Sequence, residues 1–224
     1  MLADAPTPPQ TIRIALVILG LGIWHLTQSL IKNRPSGTGV IGDGIHAFTA
    51  RAFAFFTSHP AWADRLLIVS TLAIDALGTF VLVESIVGPS IRPFLGLILL
   101  FGLRQVCQAL TALPPPEGMI WRSPGVPSLL VTYGVSNDLF FSGHTALAVY
   151  GAIELGRWGG PIWATIGAAV ALFETAVVLV LRAHYTMDVF TGAVTAFAAA
   201  VVADRLAPGC DAALVKLGTL LFGT

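Results

Sequence analysis

Charge is what this chain has least of: 11% of its residues are Asp, Glu, Lys or Arg, against about 25% in ordinary soluble domains. With 55% of the residues hydrophobic, the protein reads as integral to a membrane. A basic excess is missing as well. Twelve Lys and Arg balance twelve Asp and Glu, so no net field exists to hold nucleic acid, and nucleic-acid partners are not expected. Cysteine is scarce. Cys107 lies in an apolar run and Cys210 near the C-terminus, a placement that argues against a disulfide framework or a metal site and for two packing residues. The opening MLADAPTPPQ lacks the basic start of a secretory signal, so the first apolar run is expected to stay as a span.

What is present is a series of apolar runs. A helix needs about 20 such residues to cross the hydrocarbon core, which places spans near 11–31, 66–88, 92–113, 143–157, 161–182 and 187–205. The expected fold is therefore all-α, a polytopic membrane helical bundle of about six transmembrane helices. It forms a single integral membrane domain over 1–224, with a motif-bearing catalytic core at 104–192. The fourth span is short and is expected to borrow length from the preceding residues or to tilt. In "IHAFTARAFAFFTSHP", Phe48, Ala52, Phe55 and Phe56 share a helical face, with His46 and Arg51 off it. This suits either a helix lying in the interface or an ordinary amphipathic connector. The longest polar interruption, 114 to 138, holds several helix breakers, and loops of that length are usually functional. It leads into "FFSGHTALAVYG", where His144 stands at the start of an apolar run.

Parity brings two histidines together. From His144 the chain crosses the bilayer through the fourth span, turns at Gly159, Gly160 and Pro161, and returns through the fifth to "LRAHYTMDVF". His144 and His184 therefore belong at the same membrane face, beside the long loop. Asp188 follows His184 by one helical turn, close enough to accept a ring N–H, fix the tautomer and free the other nitrogen for attack. The plainer alternative is that Asp188 only caps a helix, and that His144 is an interfacial residue. A histidine nucleophile with a second histidine as general acid suits phosphoryl transfer without a metal or other cofactor. Ser142 and Gly143 would let backbone N–H groups approach a phosphate at the N-terminus of the fourth helix.

These residues resemble the PAP2 superfamily of lipid phosphatases and phosphotransferases, and within it the sphingomyelin synthase-like branch. The pattern Asp-x-x-x-Ser-Gly-His-Thr stands at Asp138 to Thr145, and His-Tyr-Thr-x-Asp-Val at His184 to Val189. Upstream, "RQVCQALTALPPP" supplies Arg104, Thr111, Leu113, Pro114 and Pro116, and "LPPPEG" looks like the plant enzymes that exchange phosphocholine between phosphatidylcholine and diacylglycerol. The resemblance implies a PAP2-like core, His184 as nucleophile, Asp188 as its orienting partner and His144 as acid or base on the lipid oxygen. It also implies an active site on the exoplasmic side of the membrane, a choice on which the distribution of Lys and Arg is almost silent. Several positions depart from the pattern. Ser136-Asn137 replaces the Cys-Gly of animal sphingomyelin synthases, and Ser85 and Val178 stand where the phosphatases carry Lys and Arg. Phosphate must then meet other cations. Arg104 and Arg182 are the candidates, with snorkelling as the rival role of Arg182. Ser142, Gly143, Asp138 and Tyr185 complete the expected phosphate- or substrate-binding set.

The expected function is transfer of a phospho-head-group from a membrane phospholipid to a lipid alcohol through a phosphohistidine. Two alternatives remain: hydrolysis, with water as acceptor, and a catalytically silent lipid-binding or lipid-moving protein. Asp75, Glu84, Glu154 and Glu174 also fall within spans, where an ionisable group asks for a partner. Glu154 and Glu174 are expected at a common depth, sharing a proton, pairing with Arg157 or lining a cavity. Asp75 is a candidate partner of Arg104.

Overall fold

The computed structural model describes residues 9–32, 39, 41–133 and 139–223. Among them the chain forms α1 (Gln10–Lys32), α2 (Gly44–Phe48), α3 (Ala50–Ser58), α4 (Pro60–Val87), α5 (Arg92–Leu110), α6 (Gly143–Gly159), α7 (Pro161–Val180) and α8 (Thr186–Phe222). The architecture is an all-α polytopic bundle. Proline sets three of the starts: Pro60, Pro93 and Pro161 each occupy the first turn of a helix, where a missing N–H costs nothing. α4 accordingly begins at Pro60 rather than near 66.

Five described helices, α1, α4, α5, α7 and α8, are long and apolar enough to cross a membrane. α6 has 17 residues and lies at the centre of the bundle, with Ala146, Ala148 and Tyr150 fully buried. Surrounded by protein, it does not have to match the lipid thickness alone. Small residues bring α7 against it. A Cβ on Gly167 would lie 2.6 Å from Ala152 Cα, and one on Gly156 would lie 2.9 Å from Ala164 Cβ. On α8, Phe190, Val194, Phe197 and Val201 are 50–59% exposed at helical spacing, which gives that helix a lipid-facing stripe.

α8 is longer than the 187–205 expected. Its 37 residues rise about 55 Å, well beyond a hydrocarbon core of about 30 Å. Pro208 lies inside it without ending it. Just beyond Pro208, α8 reaches polar partners at the face opposite the histidines. Asp211 accepts from Ile91 N (2.9 Å) and Ser90 Oγ (2.5 Å), in the link between α4 and α5. Buried Arg13 of α1 closes the same link, donating to the carbonyls of Ser85 (2.7 Å), Gly88 (2.5 Å) and Ser90 (2.9 Å).

The polar residues inside the spans find separate partners. Glu154 accepts from Arg92 (2.6 Å) and Arg157 (2.9 Å), whereas Glu174 accepts from Ser70 Oγ (2.6 Å), so the two glutamates do not share a proton. Asp75 caps the loop instead of meeting Arg104, taking the N–H groups of Leu129 (2.8 Å) and Leu130 (2.9 Å). The segment from 44 to 58 also differs from expectation. Its break at Thr49 turns Phe53 and Phe56 towards the core around Ala63 and Leu67, leaves Phe48 exposed, and buries His46.

Candidate active site

α7 ends in a way that aims His184. Arg182 has φ 55°, in the left-handed region where a non-glycine residue costs about 1–2 kcal/mol. Beyond it the N–H of Ala183 bonds back to Val178 O (2.8 Å), a helix-ending turn that reverses the chain within a few residues. The Arg182 guanidinium points away to neighbouring segments. It sits 3.9 Å over the Phe53 ring and donates to Glu117 O (2.9 Å). Arg182 thus anchors the 114–133 loop and α3, and it is not among the residues lining the cavity described next.

A small polar cavity of about 30 Å³ lies at this end of the bundle, lined by Arg104, Met119, Trp121, Thr132, Leu139, His144, Ala183 and His184. Both histidines of the α6–α7 hairpin meet there. His144 is buried, its ring edge-on to Trp121 at 4.8 Å, and its Nε2 has no hydrogen-bond partner among the described residues. His184 is also buried, and its Nδ1 lies 3.6 Å from Asp188 Oδ2, just beyond hydrogen-bond length. The same Asp188 oxygen accepts from Tyr185 N (2.9 Å). Asp188 therefore caps α8, as the plainer alternative expected, and it stands near the imidazole without a hydrogen bond to it among the described residues.

The start of α6 is built tightly against α8. Ser142 caps α6 through Thr145 N (3.3 Å), while its own N–H goes to the Asp188 carbonyl (3.1 Å) and is committed there. Gly192 makes this approach possible: a Cβ there would lie 2.7 Å from Ser142 O. Gly143 makes room for Arg104, whose Nε is 3.1 Å from where a Cβ would stand. Arg104 Nε donates to Phe141 O (2.9 Å), which fixes the guanidinium beside His144. Tyr185 turns away from the cavity; its hydroxyl donates to Pro114 O (3.0 Å) and its ring stacks on His46. Asp138 lies outside the described residues.

Two further residues belong to this assembly. His46 Nε2 donates to the His184 carbonyl (2.9 Å), a contact spanning 138 residues. Asp43 caps α2 through Ile45 N (2.9 Å) and His46 N (3.1 Å), and also takes Thr186 N (2.6 Å) and Thr186 Oγ1 (2.7 Å) at the start of α8. One carboxylate clips the two helix starts together. Partial burial works against its charge, but the Thr186 and His46 donors prevail and hold its pKa below the usual carboxylate value. An Asp before Gly and an apolar run is a helix-start signal; the second helix it serves has no local trace.

The family model of AtPDCT1/2, the plant phosphatidylcholine:diacylglycerol cholinephosphotransferases, matches residues 43–207, well over half of the chain. The chain belongs to the AtPDCT1/2 family. The AtPDCT1/2 match begins at Asp43, the clip, and takes in Arg104, His144, His184 and Asp188. Of the two likenesses drawn from the motifs, it bears on the plant one. No curated protein and no solved structure matches. Among the described residues no group of three or more His, Cys, Asp and Glu is arranged to hold a metal ion.

Proposed function

We propose that this protein is a membrane lipid phosphotransferase that moves phosphocholine from phosphatidylcholine to diacylglycerol through a phosphohistidine. The observation that carries this reading is the meeting of His144, His184 and Arg104 around one cavity, in a chain of the AtPDCT1/2 family. With Nδ1 turned to Asp188, His184 has Nε2 left to attack phosphorus. An N–P bond forms as the bond from phosphorus to the glycerol oxygen breaks. That oxygen keeps the electron pair and takes a proton from His144, releasing diacylglycerol. In the second half His144 accepts the proton of an incoming diacylglycerol hydroxyl. The oxygen attacks phosphorus, and the N–P bond electrons return to His184.

Arg104 supplies the cation that phosphate requires in this buried setting. The N–H groups of Gly143 and His144, in the first turn of α6, add the dipole of a helix start. Ser142 contributes through its cap and its tie to Asp188 rather than as a donor to phosphate. Chemistry and positioning therefore fall to different residues. His184, His144 and Arg104 would touch the phosphate, while Asp188, Asp43 and His46 hold the imidazole in place.

The test is purified protein in liposomes with fluorescent phosphatidylcholine, with and without labelled diacylglycerol or ceramide, and resolution of the lipid products. New phosphatidylcholine carrying the label of added diacylglycerol is the expected result. Labelled sphingomyelin would move the acceptor to ceramide. Free phosphocholine without an acceptor would make the protein a hydrolase, and no product in any arm would overturn the enzymatic reading.

A further inference from the structure

A second cavity, of about 390 Å³, lies between α1, α4 and α5, within the roughly 300–1,000 Å³ of small-molecule sites. Leu21, Leu82, Phe94, Leu97 and Ile98 are among the residues that make its wall almost wholly apolar. It is a neighbour of the histidine cavity. Arg104 and Gln105, consecutive on α5, line one each, and so do His144 and Leu147, nearly one turn apart on α6.

The polar end of this groove is unusual. Trp24 Nε1, a donor, and Gln105 Oε1, an acceptor, are both buried without a partner among the described residues. Gln105 Nε2 is engaged by Gln28 Oε1 at 2.8 Å, which sets the amide and leaves its oxygen over. The two groups lie about one helical turn apart at this end of the groove. Gln28 is one turn beyond Trp24 on α1, Gln105 one turn beyond Phe101 on α5, and the Trp24 and Phe101 rings meet edge-on at 6.2 Å.

An occupant must therefore be apolar along most of its length and carry both an O–H or N–H donor and an acceptor at one end. Phosphatidylcholine has ester carbonyls but no O–H or N–H. A lipid alcohol has both. We infer that the groove seats the lipid alcohol of the transfer reaction, an acyl chain against the apolar wall, its hydroxyl at Gln105 and an ester carbonyl at Trp24. This rests on the transfer reading above. In a ping-pong exchange the released and the incoming alcohol are chemically alike, so one groove serves both half-reactions and discriminates against the phosphorylated lipid.

Gly102 offers a clean test, because it lines the groove and a Cβ built there meets nothing within 4 Å. Wild-type protein and Gly102→Leu, reconstituted in nanodiscs, would be irradiated with a diacylglycerol carrying a diazirine in its acyl tail, and the labelled peptides mapped by mass spectrometry. The expected result is labelling of α1 and α5, competed by unlabelled diacylglycerol or ceramide far better than by phosphatidylcholine, and reduced about tenfold in Gly102→Leu. Gln105→Met, which keeps length and removes the acceptor, is expected to label but to lose the preference over phosphatidylcholine. Equal competition by phosphatidylcholine in the wild type, or undiminished labelling in a folded Gly102→Leu, would overturn the inference. Labelling requires no turnover. A labelled but inactive wild type would thus count against the transfer reading and leave the groove standing, whereas an active, unlabelled one would do the reverse.

Discussion

His184 and His144 are assigned different steps, and their replacement is expected to separate those steps. His184→Ala is expected to lower transfer by about 10⁴-fold or more, because the proposed mechanism builds its covalent intermediate on that side chain alone. His144→Ala is expected to cost about 10²–10⁴-fold with phosphatidylcholine and much less with a donor whose leaving group needs no proton. Equal loss with both donors would remove His144 from the acid role. The two arginines offer a sharper contrast. Arg104 lines the cavity, whereas Arg182 is engaged by Phe53 and Glu117, so Arg104→Ala is expected to be near-inactive and Arg182→Gly to keep most activity. Glycine suits the left-handed backbone at 182, so that variant tests the side chain without disturbing the turn. Activity of the reconstituted variants on labelled phosphatidylcholine would decide between them.

Among the elements, the short α2 and the start of α8 depend on one carboxylate. Asp43→Asn keeps the shape but faces Thr186 N–H with an amide, and is expected to cost about 1 kcal/mol of stability together with a larger fall in kcat than in KM. Because the native pKa of Asp43 is held below its unfolded value, its contribution is present above the unfolded pKa. It is lost as the pH falls through the lowered one, so the clip should open only in acid. Thermal unfolding followed from neutral to acidic pH, for wild type and Asp43→Asn, would show the two curves converging at the acid end. This element also marks what the sequence could not reveal. The pairing of His144 with His184 was legible because span parity is a counting argument and the one-turn spacing of Asp188 is local. The contacts of Asp43 and His46 cross 143 and 138 residues, and no periodicity encodes them. The six expected spans correspond to α1 and α4 to α8, but the C-terminal end of α8 was misplaced because Asp204, Arg205 and Pro208 together look like a stop. Packing overrides that local signal.

Across the whole molecule, the histidines occupy one end and an ion cluster the other. Arg92, Glu154, Arg157 and Asp204 tie α5, α6 and α8 together far from the cavity. Glu154→Gln is expected to destabilise the bundle by about 2 kcal/mol while leaving kcat at low temperature nearly unchanged. Thermal inactivation compared with initial rates would check this. The α6–α7 hairpin joins the two ends, since its turn lies at the ion cluster and its open side holds the two histidines of the cavity. That arrangement has a consequence for biosynthesis. A nascent chain that has emerged only through α6 exposes His144 alone; the hairpin must be inserted whole, and Asp188 must follow, before the proposed nucleophile and acid exist together. The protein would thus be chemically silent towards the membrane that receives it until nearly all of its motif-bearing region has been made.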